Sequence, residues 1–317
     1  MNKGTPVHVA AGVLTDRQGR ILVSRRAPDA HQGGLWEFPG GKREANESAY
    51  QALVRELHEE LGIYVESARP LISIKHDYHD RCIILDVWQI LRYHGEPEGQ
   101  EGQPLQWLAA DRLTTLNMPA ADKPVINAIR LSSEYLITPH PDQDTAVFLR
   151  QLNVVLQQGI RLVQLRAPKL SEQAYAELAQ QVVPLCHKHN ALVLLNRRLD
   201  LVESLGADGV HISSQQLQTL SARPLAESLW VAVSCHHQED LIRAEETGAD
   251  FCVLSPVQAT GSHPETSPLG WENFSRLVQD CRMPVFALGG MKRVDIVQAY
   301  RSGGQGVAAI SGLWSVE

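Results

Sequence analysis

The chain is 317 residues long, which exceeds the usual size of one domain, so we expect two domains. Its hydrophobic and charged fractions, 44% and 21%, are ordinary for a globular protein, and its net charge of −7 argues against direct DNA binding. No apolar run could span a membrane and five scattered cysteines suit free thiols, so we expect a cytoplasmic protein without a signal peptide or membrane partner.

The first part of the chain alternates strand-like runs with loops. The strand-like runs cover residues 7–15, 20–25, 71–75 and 81–93, and a closing helix is predicted over 124–131. The turn at residues 16–19 between the first two runs is typical of a β-hairpin. This order favours an α/β fold in which helices clasp a mixed sheet.

The strongest helix pattern covers residues 48–61. Asn46 is the predicted N-cap, and Gly62 is the residue that ends the helix. Leu53 and Leu57 belong to an apolar line along one face, which predicts that this face is buried.

Three glutamates crowd one patch of this helix. Glu56, Glu59 and Glu60 stand at positions i, i+3 and i+4, where like charges repel one another. A bound cation explains such a patch better than a surface helix does, and carboxylate ligands suit Mg²⁺, with Mn²⁺ as the alternative. Arg55 reaches Glu59 at i+4 and is expected to hold its carboxylate.

The same segment resembles the complete Nudix box. Its fixed positions are filled by Gly41, Glu47, Arg55-Glu56-Leu57, Glu59-Glu60 and Gly62-Ile63. An acid-rich, amphipathic surface helix is the alternative interpretation of the pattern. The resemblance implies an α/β/α sandwich and a metal-dependent pyrophosphohydrolase.

The resemblance extends over residues 6–131, to the 8-oxo-dGTP diphosphatase (MutT) type of Nudix hydrolase. It is carried by Arg25-Arg26-Ala27, Asp29-Ala30-His31, Glu37-Phe38-Pro39-Gly40-Gly41-Lys42, Asp80-Arg81, Gly95-Glu96-Pro97, Glu101-Gly102-Gln103-Pro104 and Pro124-Val125-Ile126. It implies metal binding by Glu56, Glu59, Glu60 and Glu101, and catalytic roles for Glu56, Glu101 and Arg55. It implies substrate binding by Arg26, Phe38, Gly40, Gly41, Lys42, Arg81 and Asp122.

Asp122 is the one departure from this family pattern. The family has an asparagine there, which reads the oxidised purine. An ionised aspartate only accepts hydrogen bonds, so it would take the N7 proton of the base but repel O6. The alternative is that Asp122 caps the helix that follows it.

The second part of the chain, from a junction at residues 132–133, alternates strands with helices. The strands are predicted at 135–139, 162–165, 192–196, 209–212, 230–234, 251–255, 285–289 and 306–310, with helices such as 144–158, 171–189 and 238–247. Eight such alternations predict a (β/α)₈ (TIM) barrel with its site at the carboxyl ends of the strands. We therefore expect domains at 1–132 and 133–317.

The second part resembles thiamine phosphate synthase and its relative TenI. The resemblance is carried by Gln164-Leu165-Arg166, Leu195-Asn196, Asp208-Gly209-Val210-His211-Ile212, Val233-Ser234, Leu288-Gly289-Gly290-Met291 and Ala309-Ile310-Ser311-Gly312. We expect phosphate binding by Gln164, Arg166, Asn196, Ser234, Gly289, Gly290 and Ser311. The glycines after the seventh strand and the small polar segment after the eighth suit phosphate capture by backbone N–H groups, although Gly289-Gly290 as a simple tight turn is the alternative.

The catalytic positions of that family are altered. Where the synthase holds Mg²⁺ with two aspartates, this chain has Arg197 and Gln216. A synthase lysine is replaced by Pro168, with Lys169 one residue later, a loop lysine aligns with His263, and the TenI histidine falls near Pro256. We expect a barrel that binds a phosphate-bearing small molecule without synthase activity.

These features favour an Mg²⁺-dependent pyrophosphohydrolase of nucleoside triphosphates that removes 8-oxo-dGTP. Either Glu56 or Glu101 would orient or deprotonate the attacking water. One alternative is a thiamine-metabolism enzyme, in which the first domain hydrolyses a pyrimidine or thiamine diphosphate and the barrel makes or senses thiamine phosphate. Another is a barrel that senses a ligand and tunes the hydrolase.

Overall fold

A computed structural model describes residues 5–29, 32–78, 81–141, 144–260 and 267–315. The chain divides into two compact units, Met1–Arg130 and Leu131–Glu317. Among the helices in the described ranges, none combines the length and the apolar character needed to cross a bilayer.

The first unit is an α/β structure with two sheets. Its strands are β1 (Val7–Val13), β2 (Ile21–Arg25), β3 (Trp36–Glu37), β4 (Gly40–Lys42), β5 (Tyr64–Asp77), β6 (Cys82–His94) and β7 (Leu105–Leu108), and its α-helices are α1 (Ala49–Leu61) and α2 (Lys123–Arg130). The larger sheet has the order β4-β1-β6-β5 and the smaller one the order β3-β2-β7. The larger sheet is mixed, because β1 runs parallel to β6, whereas β4 is antiparallel to β1 and β5 is antiparallel to β6. The predicted fold class is therefore confirmed.

The predicted hairpin of β1 and β2 is wrong beyond its turn. The two segments pair only near Leu14 and Thr15, where the Leu22 N–H donates to the Leu14 carbonyl at 3.1 Å. Farther along, β1 inserts between β4 and β6, while β2 joins β3 and β7. Both edges of β1 are therefore occupied by other strands, which leaves β2 to the second sheet.

Helix α1 begins later than predicted and ends as predicted. Ser48 is the N-cap, and it forms a capping box with Gln51. Asn46 lies in the left-handed region with a φ of +71° and caps nothing, so the prediction of its role was wrong. Gly62 is the left-handed C-cap, which confirms that part of the prediction.

The second unit is a closed barrel of parallel strands, as predicted. The strands are β8 (Glu134–Ile137), β9 (Leu162–Leu165), β10 (Leu192–Asn196), β11 (Gly209–Ile212), β12 (Trp230–Cys235), β13 (Phe251–Leu254), β14 (Val285–Leu288) and β15 (Gly306–Ala309). The helices are α3 (Thr145–Gln157), α4 (Glu172–Lys188), α5 (Leu199–Leu205), α6 (Ser214–Leu217), α7 (Gln238–Glu246), α8 (Gly270–Val278) and α9 (Ile296–Arg301).

Aromatic side chains fill the interior of the barrel. Tyr135, Trp230, Phe251 and Phe286 are buried together, and the ring centroids of Tyr135 and Phe251 are 5.4 Å apart. Alternate residues of the same strands point outward and pack under the helices. The filled interior leaves space for a ligand at the carboxyl ends of the strands.

The division into two units generates a first prediction. A chain cut after residue 132 should give a soluble first unit that retains hydrolysis, because each unit has its own buried core. The predicted boundary lies two residues after the division at Arg130, so fragments ending at 130 and at 132 should be compared with the intact chain by circular dichroism and nucleotide hydrolysis. Aggregation of both fragments would contradict independent folding.

Candidate functional site

Helix α1 lies against strand β4, so that acidic side chains of the helix reach the strand backbone. Leu53 and Leu57 bury the apolar face of the helix. On its other side, Glu60 Oε2 accepts a hydrogen bond of 3.0 Å from the Gly40 N–H. A Cβ atom on Gly41 would overlap the Glu56 carboxylate, so a larger residue at this position would displace that carboxylate.

Arg55 forms hydrogen bonds with three acidic side chains on and before α1. Its Nη1 donates to Glu56 Oε1 at 2.9 Å and to Glu59 Oε2 at 3.0 Å. Its Nη2 donates to Glu47 Oε1 at 2.7 Å and to the Lys42 carbonyl at 3.0 Å. Arg55 therefore holds Glu59 as predicted and also joins the helix to β4 and to the preceding loop.

The loop after β6 is tied to the end of α1. The Gln100 N–H and Gln103 Nε2 both donate to the Glu60 carbonyl at 3.0 Å, and the Glu101 N–H donates to Gln103 Oε1 at 2.9 Å. These bonds hold Glu101 close enough that its charge raises the pKa of Glu60. The sequence reasoning missed Gln103, although it lies within the motif that identified Glu101.

The acidic cluster is short of positive charge. Burial raises the pKa of Glu60 to about 8, and the charges of Glu37, Glu56 and Glu101 act in the same direction against the Gly40 hydrogen bond. Glu59 is 56% exposed and paired with Arg55. Within the described ranges, no three acidic, histidine or cysteine side chains are already gathered closely enough to form a metal site. The hard oxygen donors of Glu56, Glu60 and Glu101 nevertheless fit a divalent cation, because it would supply the missing charge.

A cavity of about 300 Å³ adjoins this cluster through Gly40. Its lining includes the predicted substrate-binding residues Arg26, Phe38, Gly40, Lys42, Arg81 and Asp122. Gly41 is outside this lining and packs against Glu56 instead. Glu37 and Tyr78 also line the cavity, and the sequence reasoning gave neither a role.

The Arg26 guanidinium interacts with two carboxyl groups of the cavity, those of Glu37 and Asp122. Arg26 Nη1 donates to Glu37 Oε2 at 2.6 Å, which holds Arg26 beside the acids. Burial raises the pKa of Glu37 to about 7. Asp122 is only 5% exposed, and burial together with the charge of Glu37 raises its pKa to about 8, although Arg26 opposes the shift.

The raised pKa changes the hydrogen bonding expected of Asp122. At neutral pH the carboxyl group keeps its proton, so it can both donate and accept, as an asparagine amide does. In this protonated form, Asp122 does not repel O6 as an ionised aspartate would. The position of the side chain in the cavity also favours a ligand contact over the alternative of a helix cap.

In the barrel, a cavity of about 790 Å³ opens at the carboxyl ends of the strands. All the predicted phosphate-binding residues line it: Gln164, Arg166, Asn196, Ser234, Gly289, Gly290 and Ser311. Gly289 and Gly290 have φ values of +99° and +70°, and a Cβ on Gly289 would lie 2.8 Å from Pro256 Cα. The turn after β14 therefore requires glycine at Gly289.

The floor of this cavity is an uncharged hydrogen-bond network. His211 contacts Tyr135 Oη at 2.9 Å through Nδ1 and Ser234 Oγ at 2.8 Å through Nε2. Gln164 extends the network from Tyr135 to Asn196. Burial, with a smaller effect of Arg166, lowers the pKa of His211 to about 3, so its ring stays neutral. The sequence reasoning quoted His211 in a motif but gave it no role.

The altered synthase positions have distinct places in the structure. Arg197, Pro168 and Pro256 line the barrel cavity. Gln216 belongs to a capping box at the start of α6 and donates to the Arg197 carbonyl at 3.3 Å. His263 lies outside the described residues.

Known proteins match the two units separately. The family model described as "Thiamine monophosphate synthase" matches residues 134–313, and the one described as "NUDIX domain" matches residues 10–128. An 8-oxo-dGTP diphosphatase of Escherichia coli is 39% identical over 39% of this chain and 96% of its own length. Its counterpart from Proteus vulgaris is 42% identical over 30% of this chain and 86% of its own length.

The second unit matches the thiamine-phosphate synthase of a Synechococcus strain. That protein is 34% identical over 57% of this chain. The chain covers 52% of its length, so about half of that relative has no counterpart in the match.

The uncompensated charge of Glu60 generates a second prediction. In EDTA, Glu60→Gln should stabilise the protein by roughly 1 to 3 kcal/mol near pH 8. The folded pKa is raised, so the wild-type carboxyl group lowers stability progressively as pH rises from its unfolded pKa through about 8. Thermal unfolding between pH 5 and pH 9 should show a widening gap between the two proteins.

Glu59→Gln is the matched control, because Glu59 lies on the same helix but is exposed. It should not reproduce the pH-dependent gain. An equal gain in both variants would show that general charge reduction is responsible, and not burial of Glu60.

Proposed function

We propose that this chain is a divalent-metal-dependent pyrophosphohydrolase of nucleoside triphosphates that prefers 8-oxo-dGTP. The chain belongs to the Nudix hydrolases through its first unit and to the thiamine monophosphate synthase family through its second. As a member of the first family, it acts on phosphoric anhydride bonds. The observation that carries the proposal is a cavity lined by Asp122 and Lys42 that adjoins the α1 acids through Gly40.

The acids of α1 and of the loop after β6 would hold the metal. When bound by Glu56, Glu59, Glu60 and Glu101, Mg²⁺ or Mn²⁺ supplies Lewis-acid chemistry and a water of lowered pKa. Lys42 neutralises phosphate charge at the cavity edge. Arg55 positions Glu56. Either Glu56 or Glu101 accepts the proton of the attacking water.

The base would be read in the cavity. Phe38 provides an apolar wall, and the protonated Asp122 donates to O6 while accepting the N7 proton of 8-oxoguanine. An unmodified guanine has no proton on N7, so it offers one hydrogen bond fewer. Loss of a buried hydrogen bond of this kind costs about 1 to 3 kcal/mol, which is enough to rank the two nucleotides.

The central prediction concerns substrate and metal. A hydrolysis panel with 8-oxo-dGTP, dGTP, CTP and pyrimidine diphosphates should show fastest turnover of 8-oxo-dGTP, with release of diphosphate, and activity should disappear in EDTA. Glu56→Gln and Glu101→Gln should each lower kcat by about 100-fold or more. Glu98→Gln, an exposed acid of the same loop as Glu101, is the control that should retain activity. Near-normal turnover in both test variants would overturn the assignment.

A further prediction concerns pH. The preference for 8-oxo-dGTP over dGTP, measured as the ratio of kcat/KM values, should rise as pH rises through about 8, because ionised Asp122 still accepts the N7 proton of 8-oxoguanine but no longer donates to an unmodified guanine. The charged or titratable groups that act on it are Glu37, Arg26 and Tyr78. The ratio of two substrates cancels pH effects common to both, including those on the metal site.

Asp122→Asn should make this ratio independent of pH over the same range, since an amide donates at every pH. Asp111→Asn, an exposed change of the same kind, should leave the wild-type profile in place. A wild-type ratio that stays constant to pH 9 would show that Asp122 does not read the base as a donor.

The second unit is proposed to bind a phosphate-bearing small molecule without synthesising thiamine phosphate. The observation that favours this role is the cavity that gathers every predicted phosphate-binding residue, whereas Arg197 and Gln216 replace the carboxylates of the synthase. Hydrolysis of pyrimidine or thiamine diphosphate in the first unit, or thiamine phosphate formation in the second, would favour the thiamine-metabolism alternative. A change in hydrolysis on adding a barrel ligand would favour the sensor.

A further inference from the structure

The barrel cavity does not suit the metal that its family relationship implies. Among the described residues that line it, none is an aspartate or a glutamate. Its polar side chains are amides, hydroxyls, imidazoles and cations, so this lining lacks the carboxylates that usually hold Mg²⁺ in proteins. Gln216 is also committed to the capping box of α6 and to the Arg197 carbonyl.

Two guanidinium groups face this cavity without a compensating charge. Arg166 and Arg197 both line it, and neither forms an ion pair with a carboxylate in the part of the chain that the structure describes. Arg198, the next residue, differs because it pairs with Asp200 at 2.6 Å. Burial, followed by the charge of Arg197, lowers the pKa of Arg166, so the two cations destabilise each other.

The backbone holds both arginines in place. The Arg166 N–H donates to Thr138 Oγ1 at 2.9 Å. The Arg197 N–H donates to the His211 carbonyl at 2.9 Å, although its φ of +66° is unusual for a residue other than glycine. Strained backbone of this kind is typical of residues at ligand-binding sites.

We propose that Arg166 and Arg197 together bind a phosphate or diphosphate group directly, without a divalent cation. The inference rests on the proposed phosphate-binding role of the second unit and states which side chains balance the negative charge of the ligand. A guanidinium offers paired donors that match phosphate oxygens, and two of them in a partly buried cavity replace the charge of one divalent cation. Asn196, on the same strand end as Arg197, adds an amide to this side of the cavity.

The arginines and the glycine turn lie at different strand ends. Arg166 and Arg197 follow β9 and β10, whereas Gly289 and Gly290 follow β14, and β15 and β8 separate the two groups in the barrel. The predicted phosphate-binding residues therefore include two separate groups, one beside the arginines and one at the glycine turn. A ligand that carries two anionic groups, or a diphosphate at the arginines alone, fits this layout.

The proposal reverses the metal dependence expected of the family. Mg²⁺ would be repelled by two fixed cations, and in solution it competes with them for diphosphate. Binding of inorganic diphosphate should therefore be strongest when Mg²⁺ is removed.

The test is isothermal titration of the intact chain with inorganic diphosphate, first in EDTA and then in excess Mg²⁺. In EDTA we expect saturable binding, which Arg166→Ala and Arg197→Ala each weaken about tenfold or more. Arg150→Ala is the matched control, because this arginine is exposed on α3 and outside the cavity, and it should leave the affinity unchanged. Excess Mg²⁺ should lower the apparent affinity of the wild type.

The inference would be overturned by no binding in EDTA, by arginine-dependent binding that requires Mg²⁺, or by an equal loss in the Arg150 control. Arg166→Ala tests the site even if replacement of Arg197 disturbs its backbone. Diphosphate binding that both arginine variants leave intact would retain the phosphate-binding role of the barrel and reject the arginine pair. Nucleotide hydrolysis is measured separately on the same preparation, so failure of the hydrolase proposal is recognised independently.

Discussion

The close approach of helix α1 to the backbone of β1 and β4 is the constraint on which the first unit depends. Glycines occupy the contact: a Cβ on Gly12 would lie 2.8 Å from Leu57 Cδ1, and one on Gly41 would overlap the Glu56 carboxylate, so larger residues would displace these side chains. Burial of the apolar face of α1 supplies the free energy that holds the helix there. The same packing forces Glu60 into a partly buried position, and the electrostatic cost of that position provides the affinity for a cation.

The two cavities that we propose to bind phosphate groups differ in their distribution of charge. The first unit gathers carboxyl groups beside its cavity, and therefore needs metal charge to accept an anionic substrate. The second lines its cavity with fixed cations and, among the described residues, no carboxylate. One unit is thus expected to require a divalent cation that the other excludes.

Sequence reasoning was most successful where the determinant is local or periodic. Strands β9, β10 and β11 have their predicted bounds, and Gly62 ends α1 as expected, because burial of short apolar runs and left-handed glycines depend on few neighbours. The N-cap was misplaced because Asn46 and Ser48 are both good caps in isolation, and only the reciprocal bond of Gln51 selects Ser48. The β1–β2 hairpin failed because the partners of β1 come from distant parts of the chain.

Site residues followed the same rule. Motifs named the residues that line both cavities, but not the state of Asp122, because its pKa depends on burial and on Glu37 far away in sequence. Arg197 shows a further consequence of such context. Asparagine and aspartate enter the left-handed region more readily than arginine does, so the residue that best suits the turn is not the one found there. Stability of the fold and attraction for an anion are therefore opposed at this position, and a screen that selects only for heat resistance would tend to discard the arginine.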